Sequence, residues 1–229
     1  MFNERDFKLF ANSNGVNSMV LHDYQRHQNN MSPQAMTPNI FETQEKRGHM
    51  MDVFSRLMMD RILYLSTEVT DDITTILSAQ LLWLDSVEKK DIQMMVNSGG
   101  GSVYGGNTVL DTMDFIQSDI STMNIGVAAS MAAVILSNGT KGKRKALPLS
   151  RTMIHQISSG TRGTFSDMEI QQEETRSVRK DLYEVLAHNT GKTFKQIEKD
   201  CDRDNWMKAP QAKDYGLIDE VIQLRKDRK

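Results

Sequence analysis

Apolar residues recur at two different periods along this chain, and the places where the period changes mark out its elements. Residues 61–65 (RILYL) form a short apolar run and predict a strand. Over 72–85 the positions Ile73, Ile76, Leu77, Leu81 and Leu84 share one face at helical spacing, which predicts an amphipathic helix. Residues 91–96 (DIQMMV) predict a second strand, and a glycine-rich turn follows it. Val109, Leu110, Met113 and Phe115 then mark another helical stretch. Further strands are predicted at 122–125 and 151–155. Between these two, an apolar run from 125 to 136 carries GVAASMAA, in which Ser130 stands among side chains too small to cover it. A buried helix opening near that serine is predicted.

The later helices carry their own start signals. Ser166-x-x-Glu169 reads as a capping box before a long helix bearing Ile170, Val178, Leu182, Val185 and Leu186, closed near residues 189–191. Thr193-x-x-Gln196 opens a shorter one. Strands alternating with helices predict an α/β domain with a mainly parallel sheet flanked by helices, whose functional loops lie at the C-terminal ends of strands. Three stretches fall at such ends: 97–101, 126–131 and 155–156. Residues 46–229 are read as this one domain. Residues 1–45 hold no sustained period and include HQNNMSPQAMTPN, so they are expected to be a flexible extension, with removal on maturation as a hypothesis.

Composition narrows the function classes. Twenty-eight Lys and Arg against 30 Asp and Glu give a net charge of −2, so bulk electrostatics favours neither nucleic acid nor an anionic membrane. The basic run at 141–145 (KGKRK) reads as a solvated turn at least as well as a phosphate patch. A single cysteine, Cys201, excludes an internal disulfide and a Cys-cluster metal site, consistent with a reducing compartment. The longest apolar segment is too short to span a bilayer, and early acidic residues argue against a signal or transit peptide; a cytoplasmic location is expected. Sixteen methionines lack a ligand-like spacing and read as pliable core filler.

The turn NSGGGSVYGG at 97–106 invites a nucleotide reading and fails it. A dinucleotide fingerprint from Gly99 needs glycine where Tyr104 stands, and a phosphate loop from Gly101 needs lysine where Asn107 stands. The turn is therefore either tight or a source of backbone N–H groups for an anion or carbonyl. Ser130 is correspondingly either the N-cap of its helix or a nucleophile. A nucleophile needs a base. His22, His27 and His49 lie in or near the irregular extension and His188 near a helix C-terminus, whereas His155 closes a strand on the same expected sheet edge as Ser130. For the orienting carboxylate, Asp200, Asp202 and Asp204 crowd one stretch, and spacing does not choose among them.

Residues 47–222 resemble the proteolytic subunits of the Clp protease family, the caseinolytic serine peptidases. The motifs that carry the likeness are FSRLMMDRI, NSGGGSV, LDTMDFI, GVAASMAA, KGKR-x-ALP-x-SRTMIHQ and CDRDNWMKAPQAKDYGLIDEVI, in the family's order. The resemblance implies a ClpP/crotonase-like α/β fold with a projecting strand-helix handle. It also implies Ser130 as nucleophile, His155 as base, Asp204 as third triad member, and the N–H groups of Gly101 and Met131 as the oxyanion hole. The substrate cleft would include Ser102, Ile157, Ser158 and Gly160, and the handle would begin in 156–165, where Gly160 and Gly163 suit a strand lying against a bound peptide. No metal or cofactor is required by this chemistry. The family further implies two stacked seven-membered rings of identical subunits, an ATP-driven AAA+ unfoldase docked outside, and unfolded polypeptides as substrates.

Departures from the family pattern locate what could differ. Gly99 stands where the family usually has proline, freeing the backbone beside the oxyanion hole. Ile157 replaces a proline after His155-Gln156, at the entry to the handle. Lys145 occupies a position often hydrophobic in the unfoldase-docking pocket, while Phe115 and Ile222 keep apolar character there. Two other classes compete with an active peptidase. One is a ring subunit of low intrinsic activity needing a paralogous partner; the other is a crotonase-like acyl-CoA enzyme, which generally works without a Ser-His-Asp triad.

Overall fold

The computed structural model describes residues 39–44, 47–160 and 162–223, with side chains from residue 51 onward. Of the extension expected over residues 1–45, residues 1–38 and 45 lie outside the described residues. The chain divides into two compact units, at Arg56/Leu57. In the first, β1 (Asn39–Gln44) and β2 (Arg47–Asp52) pair antiparallel, from Asn39 opposite Asp52 to Gln44 opposite Arg47. This hairpin straddles the boundary expected near residue 45.

The second unit is built on a parallel sheet. A short helix, α1 (Val53–Met59), spans the division between the units and is followed by β3 (Ile62–Leu65), helix α2 (Asp71–Val87), β4 (Ile92–Ser98), helix α3 (Val103–Phe115) and β5 (Ile120–Ala129). Helix α4 (Met131–Ser137), β6 (Lys145–Ala146) and β7 (Arg151–Ile154) come next. The long helix α5 (Phe165–Thr190), α6 (Phe194–Asp200), β8 (Asn205–Lys208), α7 (Ala209–Tyr215) and β9 (Glu220–Val221) complete the described residues. Strands run β3-β4-β5-β6-β9, all parallel, while the far end of β5 pairs with β7, and β7 takes β8 as an antiparallel neighbour. The alternating strand and helix pattern thus yields the mixed α/β architecture anticipated, with a mainly parallel sheet flanked by helices.

Local chemistry explains the boundaries. Thr70 caps α2 by accepting from the Ile73 N–H, and Asp71 and Asp72 favour its positive end. Helix α5 begins one turn-half earlier than the expected Ser166-x-x-Glu169 box. Thr164 accepts from the Asp167 N–H while the Asp167 carboxylate reaches back to Thr164. It ends at Gly191 in the left-handed region, as the sequence pattern requires.

One face of the sheet forms the core. Ile92, Met94 and Val96 of β4 are fully buried against Leu77, Leu81, Val109 and Ile135, whereas Gln93 and Asn97 on its other face are exposed. Parallel sheets are normally covered on both faces, so this alternation leaves apolar and polar positions uncovered in the single chain. Three residues of the expected helix faces also point outward: Ile76 is half exposed, Ile170 is exposed and Phe115 is 79% exposed.

Only the start of the basic run is the solvated turn expected: Lys141 and Gly142 are exposed, whereas Lys143 pairs with Asp91 and Asp119 and Arg144 turns inward. Arg144 is 3% exposed and forms a bidentate pair with Asp219, its other donors reaching the carbonyls of Ser137 and Asn189. One side chain therefore ties the ends of α4 and α5 to the approach of β9. Among the described residues no strand covers 155–160, so the strand expected at the start of the handle is absent. A strand needs a partner's N–H and C=O groups, and the described pairings of this chain supply none there. Among the described residues no helix is long and apolar enough to cross a membrane.

Candidate active site

Three parallel strands deliver the site. The C-terminal ends of β4, β5 and β7 lie side by side, and the chain leaves them at the glycine turn, at Ser130 and at His155. Past Val96 the β4–β5 register shifts, so that Ser98 lies opposite Ala128. The Asn97 side chain fills the irregularity by accepting from the Val127 N–H at 3.1 Å.

Ser130 occupies the N-cap position of α4 without capping it: its side chain makes no cap hydrogen bond. Its φ of 54° is, with Arg61, one of two positive values outside glycine among the described residues. Such a conformation costs on the order of 1–3 kcal/mol and turns the strand sharply into the helix. The turn is held on both sides, since the Ser130 N–H donates to the Met153 carbonyl of β7 at 2.9 Å and the Ser130 carbonyl accepts from Ala133. Because Met153 is two residues before His155, that bond also fixes the spacing between the serine and the histidine. Ser130 Oγ lies 2.9 Å from His155 Nε2.

On the far side of the ring, His155 Nδ1 lies 3.2 Å from Asp204 Oδ1. The antiparallel β7–β8 pairing explains why Asp204 is the carboxylate that arrives: Ile154 is opposite Asn205, so the residues that follow β7 and precede β8 share one end of the sheet. Asp200 is engaged elsewhere, accepting from Gln196 at 2.7 Å and from the Tyr215 hydroxyl at 2.8 Å. Asp202 offers its main-chain carbonyl to Gln156.

The glycine turn packs against this constellation. Val69 N–H donates to the Gly100 carbonyl and the Ser102 N–H donates to the Val69 carbonyl. In that parallel bridge Gly101 is the partner whose own N–H faces away from Val69. A side chain fits at neither inner glycine: a Cβ on Gly101 (φ 151°) would meet the Val69 carbonyl oxygen at 2.3 Å, and one on Gly100 (φ 92°) would meet the Ala129 oxygen at 2.6 Å and Ser130 Cβ at 2.7 Å. Met131 opens α4, and first-turn N–H groups lack an intrahelical acceptor.

A cavity of about 240 Å³ adjoins Ser130, with Gly101, Met131 and His155 in its wall. Its remaining surface is chiefly apolar, from Val103, Val134, Ile154, Leu182 and Leu186. Of the residues expected in a substrate cleft, Ile157 and Ser158 line it, whereas Ser102 and Gly160 do not. Ser102 instead caps α3, accepting from Gly105 and donating to Asp71 at 2.8 Å. Tyr183 and Gln156, not anticipated from the sequence, are also in the wall. Among the described residues no group of His, Cys, Asp and Glu side chains is arranged to hold a metal ion.

An α/β sheet that gathers Ser, His and Asp at one edge, beside a glycine turn with outward N–H groups, is the arrangement used by serine hydrolases. The chain belongs to the Clp protease family, whose model, described as Clp protease, matches residues 44–225. A relative from Porphyromonas gingivalis (strain ATCC BAA-308 / W83) is 48% identical over 226 residues, covering 98% of this chain and 99% of that protein. One from Bacteroides fragilis (strain YCH46) is 48% identical over 219 residues, covering 95% and 98%. Both are described as the ATP-dependent Clp protease proteolytic subunit, as is a third, 48% identical over 219 residues, from Bacteroides thetaiotaomicron.

Proposed function

We propose that this chain is the proteolytic subunit of an ATP-dependent protease, a serine endopeptidase that hydrolyses unfolded polypeptides. The observation that carries the reading is the continuous reach from Ser130 Oγ to His155 Nε2 at 2.9 Å and from His155 Nδ1 to Asp204 Oδ1 at 3.2 Å. In the proposed reaction Oγ attacks the scissile carbonyl carbon while Nε2 takes its proton. The carbonyl oxygen becomes an oxyanion that accepts from the N–H groups of Gly101 and Met131. Nε2 then gives its proton to the leaving nitrogen, the C–N bond breaks, and an acyl ester remains on Ser130. Water attacks that ester, delivering a proton to Nε2, and the second collapse returns the proton to Oγ. Asp204 orients the imidazole throughout. The apolar cavity beside Ser130 suits an apolar side chain next to the scissile bond, with Ile157 and Ser158 along the peptide.

The assembly we propose is two stacked heptameric rings of this chain with an AAA+ unfoldase docked outside. It is supported by the relatives' description as an ATP-dependent subunit, by the uncovered face of the sheet, and by the exposed apolar side chains Phe115, Phe165 and Ile170. The test of the chemistry is a fluorophosphonate probe with the adduct located by peptide mass spectrometry. Labelling confined to Ser130 and lost in Ser130→Ala and His155→Ala is expected. A wild-type ring that stays unlabelled, with unfoldase present, would overturn the reading.

A further inference from the structure

The segment that holds Asp204 is anchored at its ends and loose between them. Cys201, at the C-terminal cap of α6, is fully buried, and Asn205 enters the β7–β8 ladder opposite Ile154. Between these anchors Asp202, Arg203 and Asp204 are all exposed, and the Asp204 side chain is 61% exposed. At 3.2 Å its contact with His155 Nδ1 lies at the outer limit for an N–H to oxygen hydrogen bond, so a small displacement removes it. Packing does little to hold a carboxylate that faces solvent. The Asp202 N–H reaches back to the Lys199 carbonyl at 3.4 Å, and one side chain from the segment after β7 tethers the loop from outside: Gln156 Nε2 donates to the Asp202 main-chain carbonyl at 2.7 Å. Gln156 is the residue next to His155 and Asp202 stands two before Asp204, so this bond joins the segment carrying the base to the segment carrying the carboxylate.

We propose that Gln156 is a positioning residue for the hydrolysis, acting through Asp204: its bond to Asp202 keeps the carboxylate in register with His155 Nδ1. The inference rests on the proposed triad. A neutral amide moves no proton in the reaction, and because the acceptor is a backbone carbonyl, the tether depends on the donor at 156 and not on the side chain at 202. Gln156 also borders the cavity, so its alternative role is direct contact with substrate, and the two roles differ in a measurable way.

The experiment is a double-mutant cycle on the full-length protein. Gln156→Ala and Gln156→Glu, the second keeping shape but losing the donor, are each made with and without Asp204→Ala. The rate constant for fluorophosphonate labelling of Ser130 is read beside kcat and KM on a fluorogenic peptide, with ring size followed by native mass spectrometry. Loss of one hydrogen bond of ordinary net strength predicts kcat and labelling lowered about 2- to 10-fold, with KM within about twofold. In the Asp204→Ala background the same substitutions should cost nothing further. A loss that persists in that background, a change carried by KM, no loss at all, or disassembly in both Gln156 variants would each overturn the proposal. If Asp204→Ala alone labels at the wild-type rate, the triad reading falls first. If it is crippled while the Gln156 variants are normal, only the tether falls.

Discussion

Replacing Gly100 by alanine tests the glycine turn at its tightest point. Ordinary contact begins near 3.4 Å, and a Cβ at 100 would stand 2.6 Å from the Ala129 carbonyl oxygen and 2.7 Å from Ser130 Cβ, an overlap of about 0.8 Å on backbone that cannot swing aside. The φ of 92° adds about 1–2 kcal/mol for any residue with a side chain, and overpacking of this kind costs about 1–3 kcal/mol more. A total of about 2–5 kcal/mol follows if the fold resists. If it yields, Ser130 moves, and a misplacement approaching 1 Å costs about 100-fold in rate. Gly99→Ala is the control, because nothing lies within 4 Å of its Cβ and its φ is not positive. That change is expected to be neutral or to stabilise by about 0.4–1 kcal/mol through the unfolded chain. The assay is thermal unfolding at fixed protein concentration together with the Ser130 labelling rate; each kcal/mol moves the midpoint about 2–4 °C for a chain of this size. Gly100→Ala with a wild-type midpoint and labelling rate, or equal damage from Gly99→Ala, would refute the account of the turn.

Other outcomes follow from single contacts. Asp204→Asn should lower kcat by about 10³- to 10⁴-fold, because the imidazole loses the carboxylate that fixes its tautomer, measured on a peptide substrate at saturating concentration. Asp85 is held at about 2, below its ordinary 3.8, chiefly by its bond to Lys89 and, against the opposing effect of burial, by Ser118. A depressed carboxylate stabilises the fold fully above pH 3.8, and that contribution is lost as pH falls toward 2; Asp85→Asn should flatten the denaturant midpoint across that window. Burial, with the Asp200 charge adding to it, pushes the Cys201 thiol up to about 12, so iodoacetamide at pH 8 should leave Cys201 unmodified in the native protein and modify it in urea. Arg144→Met should destabilise by about 3–5 kcal/mol in chemical denaturation, since Asp219 keeps its partly buried charge without its cationic partner, held only by the Gly142 and residue-144 N–H groups.

Local signals reached as far as the chemistry of neighbouring residues. The strand at β4, the helix at α2 and the site-bearing strand ends were legible because period and turn residues are written within a dozen positions. The glycine turn's demand for glycine was legible too, although the reason lies in Val69 and Ser130 and not in the turn itself. What escaped depended on residues far apart in the chain. Arg144 looked solvated because its partner, Asp219, is 75 positions away. Asp200, Asp202 and Asp204 were indistinguishable until antiparallel pairing set Asn205 opposite Ile154. The choice of Thr164 over Ser166 as cap lay between two cap-forming residues two positions apart, and the Asp167 carboxylate decides it. The positive φ at Ser130 has no signature beyond its small neighbours.

The β7–β8 ladder couples the packing of this strand pair to the geometry at its end. A slip of one residue would turn Met207, 5% exposed, to the outside and press Trp206, 52% exposed, inward. The same slip would carry Asp204 about 3.3 Å from its place beside the imidazole. Correct burial and the alignment of Asp204 with His155 are thus one event in this strand pair. In the proposed triad, a copy with the slipped register would lack the His155–Asp204 contact.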